Sequence, residues 1–149
     1  MAVRTKTFTY KNRVNWQERR KGKLSSPGKP EVLVAAPPEF KGHEGVWTPE
    51  DLFVAALNTC FMLTFEGTAR SKGLDFLSFE CEAEGALERP GEEFLFTRVD
   101  LRPRLAIPED GDEELARWCL DTAKKDCLVT HSIRSDVTLT PQVVKAKSD

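Results

Sequence analysis

Apolar and polar positions divide the chain into β-rich stretches around one long apolar segment. Residues 3–17 (VRTKTFTYKNRVNWQ) are rich in Thr, Val, Phe, Tyr and Trp, a composition that suits a strand. Glu18 to Gly22 reads as a turn, Lys23 to Ser26 as a short strand, and Pro27-Gly28-Lys29-Pro30 as a second turn. Glu31 to Ala36 is a third strand, stopped by Pro37 and Pro38. Segments this close in sequence predict an antiparallel meander. The stretch Glu39 to Trp47 follows as a loop.

The next segment is punctuated as a helix at both ends. Thr48 suits the N-cap, Pro49 the first helical position, and Glu50 and Asp51 the positive end of the dipole; Asp51 needs no role beyond that. Gly73 is a natural stop after Lys72. Leu52, Phe53, Val54, Ala55, Ala56, Leu57, Cys60, Phe61, Met62, Leu63 and Phe65 run nearly all the way round its axis. A helix apolar on every side is buried on every side. A small sheet covers one side, so the pattern predicts a homodimer with this helix at its centre.

Beyond Gly73 the pattern returns to β. In Phe76 to Leu87, Phe79, Cys81, Ala83 and Leu87 share one face, and Glu80, Glu82 and Glu84 the other. Arg89 to Glu92 turns the chain into a strand over Phe94 to Ala106, with Val99, Leu101 and Leu105 facing inward. A second helix is predicted from Asp112 to about Asp126, with Leu115, Trp118, Cys119 and Thr122 as its apolar face. Cys127 to Ile133 begins a short turn or helix. Ser135 to Val144 is a last strand, and Lys145 to Asp149 frays. The fold class is therefore α+β, in one domain over residues 1–149.

Composition narrows the function classes. With 149 residues, 40% hydrophobic and 31% charged, the chain can bury a core without staples. Its net charge of −2 provides no general field for nucleic acid or an anionic membrane. The longest largely apolar run, Leu52 to Phe65, is shorter than the roughly 20 residues a bilayer span needs. The N-terminal residues carry no signal-like stretch, and the expectation is a cytoplasmic protein. There the four cysteines are not expected to be structural disulfides. None lies in CxxC spacing, and His43 and His131 have no evident partners, so no metal site is expected.

Cys60 and Cys127 are the pair of chemical interest. Cys60 lies midway along the apolar helix, beside Asn58 and Thr59. Cys127 stands at an element boundary after Lys124 and Lys125, where a helix N-terminus would favour thiolate. Both also fit as small core residues. Cys81 and Cys119 occupy inward positions and read as packing. Arg19 and Arg20 sit in a strand-to-strand turn, where a solvated basic loop is the plainer reading.

The run Pro37-Pro38-Glu39-Phe40 with Gly42, then Trp47-Thr48-Pro49-Glu50-Asp51-Leu52-Phe53-Val54-Ala55-Ala56-Leu57 and Cys60, resembles the OsmC/Ohr family. Its members are the osmotically inducible protein C group and the organic hydroperoxide resistance proteins. The resemblance rests on a Pro-Glu helix start, a cysteine ten residues after the Glu, and a second cysteine near the C-terminus, where Cys127 falls. It implies an OsmC-like fold, with antiparallel sheets wrapped around a long buried helix in an interlocked homodimer. It also implies a thiol peroxidase acting on organic hydroperoxides, and less well on hydrogen peroxide. Cys60 would attack, Cys127 would resolve, and an external dithiol such as a lipoyl protein would reduce the disulfide, with no bound cofactor. An arginine, Arg19 or Arg20, would hold the thiolate, and Glu50 would hold the arginine. Peroxidase members often carry proline after the second cysteine, where this chain has Leu128.

Helix geometry constrains those roles. Glu50 and Cys60 lie about 15 Å apart along one helix. To serve one site, Glu50 would have to come from the second subunit. Phe53, Leu57, Phe61, Met62 and Phe65 are available either as an apolar pocket wall or as dimer core. The alternative function is an OsmC-like protein without peroxidase activity, binding a small apolar ligand or sensing oxidation.

Overall fold

The structure is a computed structural model that describes residues 5–147. The chain divides into two compact units, 1–52 and 53–149.

The first unit is a three-stranded antiparallel meander of β1 (Arg13–Glu18), β2 (Lys21–Ser25) and β3 (Val32–Ala35). The predicted strand over 3–17 is shorter than its composition suggests. Positions 3 and 4 lie outside the described residues, and 5–12 are not strand. The limit is set by the partner: Arg13 pairs with Ser25, the last residue of β2, and a turn follows at once. The predicted Glu18–Gly22 turn contracts to Arg19-Arg20, with Arg19 at φ 42° and its carbonyl accepting from Trp16 Nε1 at 2.6 Å.

The loop after β3 opens with a single 3-10 turn, Pro38–Phe40, and is tied back tightly. His43 N–H donates to the Ala36 carbonyl at 3.0 Å, and Ala35 N–H to that of Trp47 at 2.9 Å. Gly42 lies against this crossing: a Cβ there would stand 1.5 Å from the Ala36 oxygen. Only glycine fits without moving backbone.

Helix α1 (Pro49–Lys72) begins at the end of this unit and continues through the second. Its start is a capping box. Thr48 Oγ1 accepts from Asp51 N–H at 3.0 Å, while Asp51 Oδ2 accepts from Thr48 N–H at 3.0 Å and Thr48 Oγ1 at 2.9 Å. Asp51 is thus a specific capping partner, more than the favourable charge the sequence predicts. The stop is a Schellman motif at Gly73, φ 70°, with Leu74 N–H donating to Ala69 O at 2.9 Å.

The second unit is a four-stranded mixed sheet with helices. β4 (Ser78–Glu88) pairs antiparallel with β5 (Leu95–Pro108). After β5 come α2 (Glu113–Asp126) and α3 (Leu128–His131). The predicted single last strand is two: β6 (Asp136–Leu139) and β7 (Gln142–Ala146), separated at Thr140-Pro141. Both run parallel to β5, end to end, β6 on residues 98–101 and β7 on 104–108. The sheet is therefore not wholly antiparallel. Pro103, which has no N–H to donate, falls in the gap between the two pairings.

Within this unit α1 packs on the sheet by one stripe, Leu57, Phe61, Phe65 and Ala69, all fully buried or nearly so. The i, i+4 spacing keeps them on one face. Phe65 stacks on Phe79 with centroids 5.0 Å apart, and Phe53 on Phe96 at 4.6 Å. Val99, Leu101, Leu105 and Ile107 of β5 meet this stripe in the core. Burying each Leu or Phe of the stripe contributes about 1.5–3 kcal/mol. The chain does not bury α1 on every side, however: Met62 and Leu63 stay 38% and 58% exposed. By length and composition α1 could cross a membrane; its packing on the sheet makes it the core helix of a soluble fold.

The apolar face of α2 is turned from the predicted phase. Ala116, Cys119, Leu120 and Ala123 are buried, whereas Trp118 is 46% exposed, with Lys72 Nζ 5.2 Å from its ring centroid. Predicting from the large residues overlooked the small ones that let α2 pack closely. Asp112 caps this helix by accepting from Leu115 N–H at 2.9 Å.

Candidate functional site

The second unit brings Cys60 and Cys127 together. Cys60 sits partly buried in the middle of α1, and Cys127 is fully buried at the corner between α2 and α3. That corner exists because α2 ends at Asp126 and the extended backbone of Cys127, φ −63° and ψ 118°, caps α3. A residue in this position leaves the first amides of the following turn free to point outward.

They point at Cys60. Burial works against its ionisation, but the Val129 N–H, the Cys127 thiol, the Thr64 hydroxyl and the Leu128 N–H all hydrogen-bond to its sulfur. The balance holds the thiol below its ordinary value. Donors to a thiolate stabilise the charged form. Cys60 and Cys127 are both free cysteines.

The other two cysteines differ in kind. Cys119 is buried on α2, and burial raises its thiol. Cys81 on β4 is pushed up to about 11, chiefly by burial. Both environments favour the inert thiol, as their inward positions predict.

Thr64 and the amides of Leu128 and Val129 are site groups absent from the sequence-based candidates. Thr64 had a readable signal, since a residue four places after Cys60 on a helix lies on the same face. The amides had none, because backbone donors carry no side-chain signature.

Arg19, Arg20 and Glu50 lie in the first unit. Arg19 and Arg20 form the exposed β1–β2 turn and border an open groove of about 480 Å³, walled in part by Val14, Trp16 and Val34. Glu50 is in the first turn of α1, and its Oε2 is buried with no hydrogen-bond partner among the described residues. His131 Nε2 lies 2.6 Å from the Lys125 carbonyl oxygen. Among the described residues no group of three His, Cys, Asp or Glu is disposed to hold a metal ion. Of the candidate wall, Leu57, Phe61 and Phe65 belong to the core of the second unit, while Met62 faces outward.

Comparison with known proteins agrees with this architecture. The family pattern for OsmC-like proteins matches residues 42–142. The chain is 26% identical over 104 residues to peroxiredoxin OsmC of Escherichia coli, covering 70% of this chain and 71% of that protein. It is 23% identical over 109 residues to the uncharacterized protein YmaD of Bacillus subtilis, covering 71% and 73% respectively. Among solved structures, an OsmC-like protein of unknown function from Vibrio cholerae superposes with a TM-score of 0.83 at 22% identity, covering 91% of this chain and 99% of that one. An organic hydroperoxide resistance protein from Elizabethkingia anophelis superposes with a TM-score of 0.74 at 20% identity, covering 97% of this chain and 100% of that one. With the family pattern spanning most of the chain, and with the same fold in these structures, this protein belongs to the OsmC/Ohr family of OsmC-like proteins.

Proposed function

We propose that the protein is a thiol-dependent peroxidase that reduces organic hydroperoxides through Cys60 and Cys127. The observation that carries this reading is the Cys60 sulfur, facing the Cys127 thiol and two backbone amides and held below its ordinary pKa. Family membership supports it, since relatives are named peroxiredoxin and organic hydroperoxide resistance protein.

The chemistry follows from the pair. The Cys60 thiolate attacks the outer peroxide oxygen, the O–O bond breaks, and the departing alkoxide takes a proton to leave as an alcohol. Cys60 is now a sulfenic acid. The Cys127 sulfur attacks it, forming the Cys60–Cys127 disulfide and releasing water. An external dithiol, such as a lipoyl group, reduces that disulfide by exchange and is itself oxidised to a disulfide. No bound cofactor takes part. A reducing, cytoplasmic setting suits a pair that must be re-reduced at each turnover.

Three further assignments belong to the same proposal. Arg19 or Arg20 supports the thiolate, because a guanidinium stays charged when partly desolvated. Glu50 holds that arginine; its unpartnered buried oxygen fits a carboxylate awaiting a cation. The working form is a homodimer that covers the exposed apolar side of α1 at Met62 and Leu63.

The test is stoichiometric oxidation of the reduced protein with one equivalent of cumene hydroperoxide, and of hydrogen peroxide in parallel. Thiol titration and peptide mass mapping locate the product. Rapid loss of two thiols to a Cys60–Cys127 disulfide, faster with the organic peroxide, is the expected result. Slow oxidation scattered over the four cysteines would overturn the peroxidase reading.

A further inference from the structure

Thr64 makes two contacts with one residue. Its hydroxyl donates to the Cys60 carbonyl at 2.7 Å, and the same oxygen lies 3.9 Å from Cys60 Sγ. A hydroxyl has one proton and two lone pairs. With the proton on the carbonyl, a lone pair is left to accept from the Cys60 S–H, so this arrangement suits the thiol. Once the sulfur is a thiolate it can only accept. The hydroxyl then serves it by rotating about its own C–O bond and donating to sulfur. The Cys60 carbonyl gives up little, since the helix already provides it with the N–H four residues on.

We propose that Thr64 is a positioning residue for Cys60, a two-state hydroxyl that accepts from the thiol and turns to donate to the thiolate. The inference deepens the peroxidase reading and rests on it for its consequence, though not for its geometry. The surroundings make the role specific. The groups facing the Cys60 sulfur from other elements are the Cys127 thiol and the amides of Leu128 and Val129, and the contribution on its own helix is Thr64. The amides are fixed by the backbone and cannot change roles, and Cys127 is consumed in the next step. The Thr64 hydroxyl is the donor that can follow the sulfur through its change of charge. Thr68 bonds back in the same way, to Thr64 O at 2.8 Å on the same helix, and provides an internal control.

The experiment is the pH profile of Cys60 alkylation by iodoacetamide, read by peptide mass mapping, in wild type, T64V, T64S and T68V. Thr64→Val keeps the shape and removes the hydroxyl; Thr64→Ala is the second such variant should Val disturb the packing. Thermal melts confirm that each variant is folded. Removing one donor to a charged acceptor is expected to raise the apparent pKa of Cys60 by about 1 unit in T64V and T64A. T64S should restore the wild-type profile, and T68V should leave it unchanged. Superimposable profiles for wild type, T64V and T64A would overturn the proposal, as would an equal shift in T68V. Hydroperoxide turnover, followed in the same samples, separates the two readings. A shifted profile in a protein without turnover retains the Thr64 role and removes the peroxidase reading. Turnover with unshifted profiles does the reverse.

Discussion

The Cys127 thiol hydrogen-bonds the Cys60 sulfur, although one residue caps the short helix α3 and the other lies midway along α1. The contact joins two elements that are remote in sequence and unlike in role. α1 supplies a rigid platform, and the α2–α3 corner supplies a thiol and two amides aimed at it. In the proposed reaction this contact places the Cys60 sulfur to attack the peroxide and the Cys127 sulfur to resolve the product.

Substituting Cys127 with serine separates those two events. The serine hydroxyl still donates to the Cys60 sulfur, so the first oxidation should run within a few-fold of the wild-type rate. The sulfenic acid then has no resolving thiol. Dimedone labelling should therefore trap Cys60 in C127S and not in wild type, and excess peroxide should drive C127S to the sulfinic acid. Dimedone labelling equal in both proteins would show that Cys127 does not resolve.

Exchanging Arg19 and Arg20 singly for alanine decides between them. The arginine that supports the thiolate should lower the rate constant for hydroperoxide by about 100-fold when removed, a loss typical of one catalytic donor. The other should change it little. Glu50→Gln should follow the damaging arginine in kind and by a smaller factor. If both arginine variants keep the wild-type rate constant, the supporting role belongs to neither.

The elements of the fold were legible wherever the chain punctuates itself. Thr48-Pro49 and Gly73 bound α1 to the residue, and the alternation around Phe79, Cys81 and Ala83 placed β4. Burial was harder to read than position. Trp118 fits the apolar stripe with Leu115, Cys119 and Thr122, yet alanines at 116 and 123 lie against the core because close helix packing favours small side chains. The β6–β7 break at Pro141 was available in the sequence, but their shared parallel partner was not, since strand pairing across a helical crossover leaves no local pattern. For the site, residue types and helix phase gave two separate cysteines. Only the resemblance paired them, and the amides that complete the site have no sequence signal at all.

Leu63 should report the dimer. Its side chain is 58% exposed on α1, away from the buried stripe and beside Met62. Light scattering coupled to gel filtration is expected to give twice the chain mass for wild type, and a smaller species for L63E at micromolar concentration. A charge buried in an apolar interface without a partner is costly enough to break most of them. Wild type running as a single chain would remove the dimer and with it the composite role of Glu50.

Cys81 predicts a stability change of definite sign at high pH. Its thiol is pushed from an ordinary 9.0 to about 11, chiefly by burial, with the charges of Asp100 and Glu82 adding and a hydrogen bond from the Arg102 backbone opposing. Between these values the unfolded chain has lost the proton and the folded chain keeps it. The unfolded state thus binds fewer protons, and stability must fall as pH rises through the window. The contribution is present in full below 9 and fades toward 11, amounting to roughly 2 kcal/mol once the shift is discounted for solvent screening of a half-buried side chain. Cys60 has the opposite sign, its folded value being depressed, so its contribution grows as pH rises toward 9. Urea unfolding of wild type and Cys81→Ala at pH 8, 9.5 and 10.5 isolates the first effect. The stability difference between the two proteins should shrink with each step, because the variant lacks the thiol that resists ionisation. A difference that stays constant across the series would mean that the Cys81 thiol is not shielded as its position on β4 requires.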